Sequence, residues 1–423
     1  MTTPPSRRLL VLSNGHGEDL IALRILEALH RQQPALELAV LPLVGLGQAF
    51  AAATAAGWLR RVGPRQPLPS GGFSNQSLRG LLADLLAGLP LLSWRQWRLV
   101  RAWGRHGDPI LAVGDLLPLL LAWAGGGPYG FVGTPKSDVT WASPPPPGWG
   151  GSPLADRFHR AKGSEWDPWE WALMGARRCR LVAVRDRLTA RGLRRHRVAA
   201  CAPGNPMLDG FTPEPLPAQR QDRPRLLLLA GSRLPEALSN LRRLLAALPE
   251  AGSGPALHVL LATGARPSPT ELAPVLAAAG FEAISADDPR LLDLGAAAGW
   301  RRGSLDLWIG PGRFSTWAPW GDLGLATAGT ATEQLVGLGI GALSLPGAGP
   351  QFKPGFARRQ SRLLGGAVQP CHSPTELRQR LLALLADPGQ RQRLGHIGRQ
   401  RMGPSGGSER LAALIAGQLL GGG

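Results

Sequence analysis

The feature that most constrains the fold is a repeated alternation of short apolar runs, glycine-containing turns and amphipathic segments. The apolar runs predict strands buried on both faces, and the segments between them predict helices. The order strand–helix–strand favours parallel sheets that helices cover on both faces. The predicted strands are residues 9–13, 38–43, 110–113, 130–132, 181–184, 226–230, 257–263, 305–309, 323–328 and 342–345.

The alternation stops in a proline-rich stretch and then restarts, which predicts two domains. A chain of 423 residues also exceeds what one hydrophobic core usually supports. We predict a first domain at 1–205, a linker at 206–224 and a second domain at 225–405, with a last helix at 406–423 that could pack back on the first domain. The expected fold class is α/β, with two doubly wound Rossmann-like domains that face each other across a cleft.

The net charge of the chain indicates which kinds of partner it can bind. The net charge is +18, which favours nucleic acid, anionic lipid head groups or diphosphates, unless the arginines only form a solvated basic surface. The chain lacks the sequence signatures of the common nucleic-acid-binding folds, so we expect no nucleic-acid partner. Three cysteines without a CxxC pair predict neither a disulfide framework nor a zinc site, as in a reducing cytoplasm.

Two turns in the second half of the chain suit a diphosphate. Gly231, Ser232 and Arg233 follow a predicted strand and offer amide, hydroxyl and guanidinium donors. Gly329 and Thr330 follow another strand and lead into a helix, whose first turn carries Thr332, Glu333 and Gln334. A carboxylate such as that of Glu333 suits the paired hydroxyls of a ribose. The alternative is a capping box between Thr330 and Glu333.

The first turn of the chain differs from these two turns because it contains two acidic residues. It consists of Asn14, Gly15, His16, Gly17, Glu18 and Asp19, between a strand and a helix. Glycines allow a ligand to approach the backbone, whereas the two acids disfavour a phosphate. A hydroxyl of a sugar or acceptor is therefore the better ligand, and the alternative is a plain turn in which an acid caps the helix.

Several segments together resemble lipid-A-disaccharide synthases, a branch of the GT-B glycosyltransferases. Residues 226–236 read LLLLAGSRLPE and resemble the LPGSRxxE motif of that family, and residues 204–209, GNPMLD, resemble its GHPLLD. Residues 14–20 resemble its GEASGDL turn, although His16 is similar to the GGH turn of the transferase that adds N-acetylglucosamine to lipid-linked peptidoglycan precursors. Residues 328–334 and 346–352 resemble the nucleotide-binding region of both families.

This resemblance implies an inverting, metal-independent transfer of a GlcNAc-type sugar from a UDP-sugar to a lipid or lipid-linked acceptor. It implies that Glu333 holds the ribose, with Gln334 beside it, and that Gln351 touches the donor sugar. No cofactor is expected, because the UDP-sugar is a substrate. The residues that it implies near the diphosphate are Gly231, Ser232, Arg233, Gly329, Thr330, Ala331 and Thr332.

The resemblance also implies a catalytic carboxylate. The family has a GIDxPDF pattern, and residues 112–118 here read AVGDLLP, so Asp115 is the match and the second acid is absent. Asp115 and His16 are both candidates for the general base. The alternatives are a cap or turn role for Asp115 and a hydrogen bond from His16 to the backbone. Two other functions stay open: a UDP-sugar 2-epimerase, and a non-catalytic nucleotide-sugar-binding protein.

A lipid acceptor implies contact with a membrane. Residues 81–105 combine leucines, arginines and the tryptophans Trp94, Trp97 and Trp103, which suits the interface of an anionic bilayer. The alternative is an amphipathic helix that packs on the core. No apolar run reaches the roughly 20 residues of a spanning helix, so we expect a cytoplasmic protein that binds peripherally to the inner face of the membrane.

Overall fold

The computed structural model divides the chain into two compact units. The first contains Met1–Ala142, Pro153–Asp209 and Pro404–Gly423, and the second contains Ser143–Ser152 and Gly210–Gly403. The loop 143–152, which the sequence-based bounds assigned to the first domain, therefore groups with the second unit. The residues that the structure describes are 8–15, 17–66, 85, 88–151, 153–211, 214–217, 222–250, 254–347 and 352–421.

Strands follow the predicted pattern closely: every predicted strand is present, with ends shifted by about two residues at most. The strands are β1 (Arg8–Ser13), β2 (Glu37–Pro42), β3 (Leu59–Arg61), β4 (Ile110–Gly114), β5 (Tyr129–Gly133), β6 (Cys179–Val184), β7 (Ala200–Cys201), β8 (Arg225–Leu229), β9 (Leu257–Thr263), β10 (Glu282–Ala283), β11 (Ala298–Arg302), β12 (Leu305–Pro311), β13 (Leu323–Ala326), β14 (Ala342–Ser344) and β15 (Val368–Pro370).

Helices lie between most of these strands, as expected for α/β units. The helices are α1 (Gly17–Gln32), α2 (Ala51–Ala55), α3 (Leu89–Arg105), α4 (Leu116–Gly125), α5 (Val139–Ala142), α6 (Pro153–Lys162), α7 (Pro168–Met174), α8 (Arg187–Arg195), α9 (Glu236–Leu245), α10 (Pro269–Ala278), α11 (Pro289–Leu294), α12 (Phe314–Trp317), α13 (Thr330–Gly337), α14 (Pro354–Leu363), α15 (Pro374–Ala386), α16 (Pro388–Met402) and α17 (Gly407–Leu414).

The first unit contains, within its described residues, a seven-stranded parallel sheet in the order β3-β2-β1-β4-β5-β6-β7. Successive residues of the central strand β1 point to opposite faces. Leu9 and Val11 pack in the core that contains α1, and Leu10 and Leu12 pack in the core on the other face. Burial on both faces explains why the strands read as continuous apolar runs rather than as alternating patterns.

The second unit contains, in the part that the structure describes, an eight-stranded sheet in the order β10-β11-β12-β9-β8-β13-β14-β15. β10, β11 and β12 pair antiparallel at one edge, and the other pairs are parallel. Leu226 and Leu228 pack on one face of β8, whereas Leu227 and Leu229 pack on the other. Both units are thus doubly wound α/β structures, as the sequence predicted.

The C-terminal helix α17 belongs to the first unit and packs on α1. It continues as a π-helical segment, Ile415–Leu420, so the single helix predicted for the end of the chain changes its winding. The carboxylate of Asp209 accepts hydrogen bonds from the backbone N–H of Gly406 at 2.5 Å and of Ser408 at 2.6 Å. The last residue of the GNPMLD segment therefore anchors the start of this helix.

The predicted linker is divided between the units. Pro206–Leu208 forms a 3₁₀ turn in the first unit. In the second unit, Phe211 and Leu216 pack against an apolar core, and the Trp320 indole N–H donates to the carbonyl of Glu214 at 2.8 Å. The described part of this stretch is therefore a packed segment and not a free linker.

Helices α3 and α4 approach each other closely at a pair of glycines. A Cβ atom on Gly104 would lie 2.3 Å from the carbonyl oxygen of Gly125, and a backbone atom cannot rotate away. We expect Gly104→Ala to lower the free energy of unfolding by about 1–3 kcal/mol, as in other overpacked cores. Chemical denaturation measures this change.

Gly417→Ala is the matched control for this substitution. Gly417 also lies in a helical segment of the first unit, but its Cβ position has no heavy atom within 4 Å. We expect unchanged or slightly higher stability. Equal unfolding free energies for the two variants would contradict the close approach of α3 and α4.

Candidate functional site

The sheet of the second unit reverses its winding between β8 and β13. β9 lies on one side of β8 and β13 on the other, and Ala326 of β13 pairs with Leu229 of β8. The backbone N–H of Thr327 donates to the carbonyl of Leu229 at 2.9 Å. The loops after these strands, residues 230–233 and 327–329, therefore lie side by side at the position where open α/β sheets bind ligands.

The loop after β8 offers an open approach. Gly231 and Ser232 are exposed, and the Cβ position of Gly231 has no heavy atom within 4 Å. Gly231 has a φ of 90°, a conformation that glycine adopts without strain. Burial lowers the pKa of the neighbouring Arg233 from its usual value, an effect that the charge of Glu236 opposes. The guanidinium of Arg233 is therefore partly buried, and the space beside the nearby Gly231 is open.

The loop after β13 leads into α13, which begins at Thr330. Gly329 is the residue before the helix, and as a glycine it has no side chain that could cap it. The capping box suggested for Thr330 and Glu333 is therefore wrong, because Thr330 is already helical. Instead, the Thr332 hydroxyl donates back to the carbonyl of Ala328 at 2.7 Å. Amide groups at an uncapped helix start are suitable donors for an anion.

Gln360 holds this loop from α14. Its side-chain amide donates to the carbonyl of Gly329 at 3.1 Å and to that of Ala328 at 3.5 Å. The side chain is buried, and its Oε1 atom has no hydrogen-bond partner among the described residues. Gln360 was not among the predicted site residues, although an uncharged polar residue within the basic α14 was a signal.

The remaining predicted donor residues differ in exposure. Thr332 and Gln334 are buried, whereas Ala331 and Glu333 are half-buried. Thr330 is half-buried too, so solvent reaches Thr330, Ala331 and Glu333 more easily than it reaches Thr332 and Gln334. Gln351 lies outside the described residues, so its predicted contact with the donor sugar stays a prediction.

The sheet of the first unit also reverses its winding, between β1 and β4. β2 lies on one side of β1 and β4 on the other, and Ser13 pairs with Val113. The Thr134 N–H, after β5, donates to the carbonyl of Gly114 at 3.2 Å. The turn after β1, Asp115 after β4 and Thr134 after β5 therefore converge at one edge of this sheet.

Asp19 stabilises the first turn. The Ser13 hydroxyl donates to its carboxylate at 2.5 Å, and the Gly15 N–H donates to the same oxygen at 3.2 Å. Burial raises the pKa of Asp19 to about 6, although these hydrogen bonds and the charge of Arg61 act in the opposite direction. Asp19 thus fixes the backbone conformation between β1 and α1, where the helix begins at Gly17.

Asp115 caps helix α4. Its carboxylate accepts a hydrogen bond from the backbone N–H of Leu117 at 3.1 Å, and the side chain of Asn14 also donates to it. Burial raises its pKa from the usual value, whereas these bonds and the charge of Lys136 lower it. The cap role that the sequence left open for Asp115 is therefore confirmed. The Oδ1 atom of Asn14 is buried without a partner in the described part of the chain.

Glu18 lies between these groups. Its Oε1 atom accepts a hydrogen bond from the Thr134 hydroxyl at 3.4 Å. Burial raises the pKa of Glu18 to about 7, with further increases from the negative charges of Asp115 and Asp19. The other candidate in this turn, His16, lies outside the described residues, and its role stays a prediction.

The tryptophans of α3 divide into two groups. Trp103 is 9% exposed, and its indole N–H donates to the carbonyl of Pro109 at 3.3 Å. Trp94 and Trp97 are 49% and 40% exposed. The prediction of three interfacial tryptophans is therefore wrong for Trp103, which packs in the core. No helix in the described ranges is long and apolar enough to cross a membrane.

Comparison with known proteins identifies the fold. No protein-family model and no curated protein sequence matches the chain. A UDP-N-acetylglucosamine 2-epimerase of Listeria monocytogenes is 13% identical with a TM-score of 0.57, and the match covers 98% of this chain and 97% of that chain. CalG4, the calicheamicin glycosyltransferase, is 15% identical with a TM-score of 0.57 and 98% coverage of both chains.

MurG of Acinetobacter baumannii is also similar. It is 14% identical with a TM-score of 0.53, and the match covers 97% of this chain and 99% of that chain. At such low identities the likeness concerns the fold. The chain therefore has the GT-B fold, with two α/β units that each have a Rossmann-like parallel core.

The buried carboxylates of the first turn predict a dependence of stability on pH. Because the pKa values of Glu18 and Asp19 are raised to about 7 and about 6, the folded protein binds more protons than the unfolded chain between pH about 4 and about 7. Their stabilisation is fully present below this window and is lost as the pH rises through it. At about 1.4 kcal/mol for each pKa unit, we expect the joint contribution of these two groups to the free energy of unfolding to decrease by on the order of 3–6 kcal/mol across the window.

Glu18→Gln should remove a large part of this decrease, because an amide does not titrate. Denaturation at a series of pH values measures it. Glu37→Gln is the control, since Glu37 is exposed at the start of β2 and should leave the profile unchanged. If the profiles of Glu18→Gln and the wild type coincide, Glu18 does not titrate in this window.

Proposed function

We propose that the protein is an inverting, metal-independent glycosyltransferase that moves a GlcNAc-type sugar from a UDP-sugar to a lipid or lipid-linked acceptor, in the manner of lipid-A-disaccharide synthases. The observation that carries the proposal is the pair of adjacent loops at residues 230–233 and 327–329. They combine the LPGSRxxE-like segment with an uncapped helix start.

In this proposal the second unit binds the UDP group. The start of α13 carries a partial positive charge of roughly +0.5, and Arg233 supplies a full one. Both would stabilise the negative charge that develops on the diphosphate as it leaves, a task that a metal ion performs in other transferases. Gly231, Ser232 and Gly329 would donate hydrogen bonds, and Glu333 would accept them from the ribose hydroxyls.

The first unit would bind the acceptor. The Oδ1 atom of Asn14, which has no partner among the described residues, is a suitable acceptor for a hydroxyl proton, and the side chains of Asp115 and Glu18 lie nearby. A general base would remove the proton of the acceptor hydroxyl as the sugar is transferred, which contributes roughly 10²–10⁴-fold to the rate. The sequence candidates for this base are Asp115 and His16.

The exposed part of α3 supports a membrane-bound acceptor. Leu91, Trp94 and Trp97 are exposed on this helix, together with Arg95 and Arg98. Tryptophan beside arginine suits the head-group region of an anionic bilayer. We propose that the protein binds peripherally to the cytoplasmic face of a membrane through this surface.

A 2-epimerase is the second candidate function. The Listeria monocytogenes epimerase has the same TM-score as the calicheamicin glycosyltransferase, 0.57, and the carboxylates of the first unit suit proton abstraction from a sugar as well as from a hydroxyl. An epimerase would turn over a UDP-sugar without any acceptor. A binding protein without activity would bind UDP and turn over nothing.

The donor assignment predicts stabilisation by UDP. At about 100 times its dissociation constant, UDP should stabilise the protein by about 2.7 kcal/mol, measured as a shift of the melting temperature. We expect Glu333→Ala and Arg233→Ala each to remove most of this shift. Glu282→Ala, at an exposed position of β10 in the same unit, should retain it. A wild-type protein without any UDP-dependent shift would refute the donor assignment.

The membrane assignment predicts a loss of vesicle binding in the double variant Trp94→Ser/Trp97→Ser. Burying a large apolar side chain is worth roughly 1.5–3 kcal/mol, so we expect at least about tenfold weaker binding to vesicles with anionic phospholipid, measured by co-sedimentation. Trp169→Ser is the control, since Trp169 is exposed on α7 of the same unit. Equal effects of the two changes would argue against α3 as the binding surface.

A further inference from the structure

Three carboxylates lie at the edge of the first sheet, and they differ in how firmly the fold holds them. Asp19 accepts two bonds that fix the first turn. Asp115 caps α4 and also accepts a bond from Asn14. Among the described residues, Glu18 receives a long bond of 3.4 Å from Thr134 and one from its own backbone N–H. Of the three carboxylates, Glu18 is thus the one that the described hydrogen bonds hold least firmly.

We propose that Glu18, and not Asp115, accepts the proton of the acceptor hydroxyl in the transfer reaction proposed above, on which this inference rests. As the proton moves to the Glu18 carboxylate, the hydroxyl oxygen forms its bond to the anomeric carbon of the donor sugar. The bond from that carbon to the diphosphate breaks, and its electron pair leaves with UDP.

Glu18 lies close to all three loops at this edge of the sheet, which follow β1, β4 and β5. It lies in the first turn of α1, yet its Cγ atom is only 3.4 Å from where a Cβ on Gly114 would stand, and the Cβ of Asn14 is 3.2 Å from the same point. Thr134, after β5, reaches its carboxylate from the other side. A side chain at this last position of β4 would therefore crowd Asn14 and Glu18.

Asn14 supplies an independent indication of a ligand. Its amide nitrogen donates to Asp115, which leaves Oδ1 as a buried acceptor without a partner within the described ranges. Buried polar atoms are nearly always hydrogen-bonded, so a donor from a ligand is expected here. A hydroxyl that donated to Asn14 before the reaction would lie beside Glu18, because the two side chains pack on the same glycine.

The surroundings of Glu18 give it the proton affinity that a base requires. Burial is the main cause of its raised pKa, and the charges of Asp115 and Asp19 add to it, while the positive charge of Lys136 acts on Asp115. The resulting pKa of about 7 is close to a neutral working pH, where a general base is most effective. In this arrangement Asp115 is a positioning residue: it orients Asn14 and tunes Glu18 by its charge.

The test compares Glu18→Gln with Asp115→Asn. We would measure UDP release from UDP-N-acetylglucosamine in the presence of a membrane lipid extract over a range of pH. Glu18→Gln should lower the rate by about 10²–10⁴-fold and retain the UDP-dependent shift of the melting temperature, which reports on the other unit. The control Glu37→Gln should retain the wild-type rate.

Asp115→Asn should lower the rate far less than Glu18→Gln does, because asparagine is as good a helix cap as aspartate and the proposed base, Glu18, is still present. The acid limb of the pH–rate profile of this variant should move to lower pH, because the loss of a neighbouring negative charge lowers the pKa of Glu18. This shift tests the proposal even if Glu18→Gln does not fold.

A wild-type rate for Glu18→Gln, or an inactive Asp115→Asn that still shows the UDP-dependent shift, would overturn the assignment to Glu18. A wild-type protein that binds UDP and releases none from the donor with the extract would instead contradict the proposed function, and the role of Glu18 with it.

Discussion

A parallel sheet that is wound in both directions leaves a crevice at the point where the winding reverses, because the two adjoining helices lie on opposite faces of the sheet. Both units are built around such a point, between β1 and β4 in the first and between β8 and β13 in the second. Since parallel strands present their carboxyl ends at the same edge, the loops that follow them are brought together there. The location of both candidate sites thus follows from strand order before any side chain is considered.

The side chains then make the two crevices chemically different: one is positively charged and the other is lined with carboxylates. The second unit presents an uncapped helix start and Arg233, which suit a leaving diphosphate. The first unit collects carboxylates whose proton affinity is raised by burial, which suit removal of a proton. A buried acid at neutral pH destabilises the fold, and such strain is typical of functional sites. The proposed transfer reaction would use both kinds of crevice.

The sequence predicted the central strands well because they are buried on both faces and read as apolar runs. It missed β11, Ala298–Arg302, because this strand carries arginines and pairs antiparallel with β10 and β12. It also missed β3, β7, β10 and β15, because each of them has only two or three residues. It recognised the loops after β8 and β13, but the alternative of a cap at Thr330 was wrong by one residue, because the exact start of a helix cannot be read from a pattern. Gln360 and Thr134 were missed since their contacts join elements far apart in the chain.

The central claim, transfer of a sugar from a UDP donor, is tested most directly by mass spectrometry of the products. The protein would be incubated with UDP-N-acetylglucosamine, once with a membrane lipid extract and once without it. Our account predicts UDP and a lipid that is heavier by one sugar residue, and both only when the extract is present. Conversion of the donor into an isomeric UDP-sugar without the extract would contradict transfer and identify an epimerase.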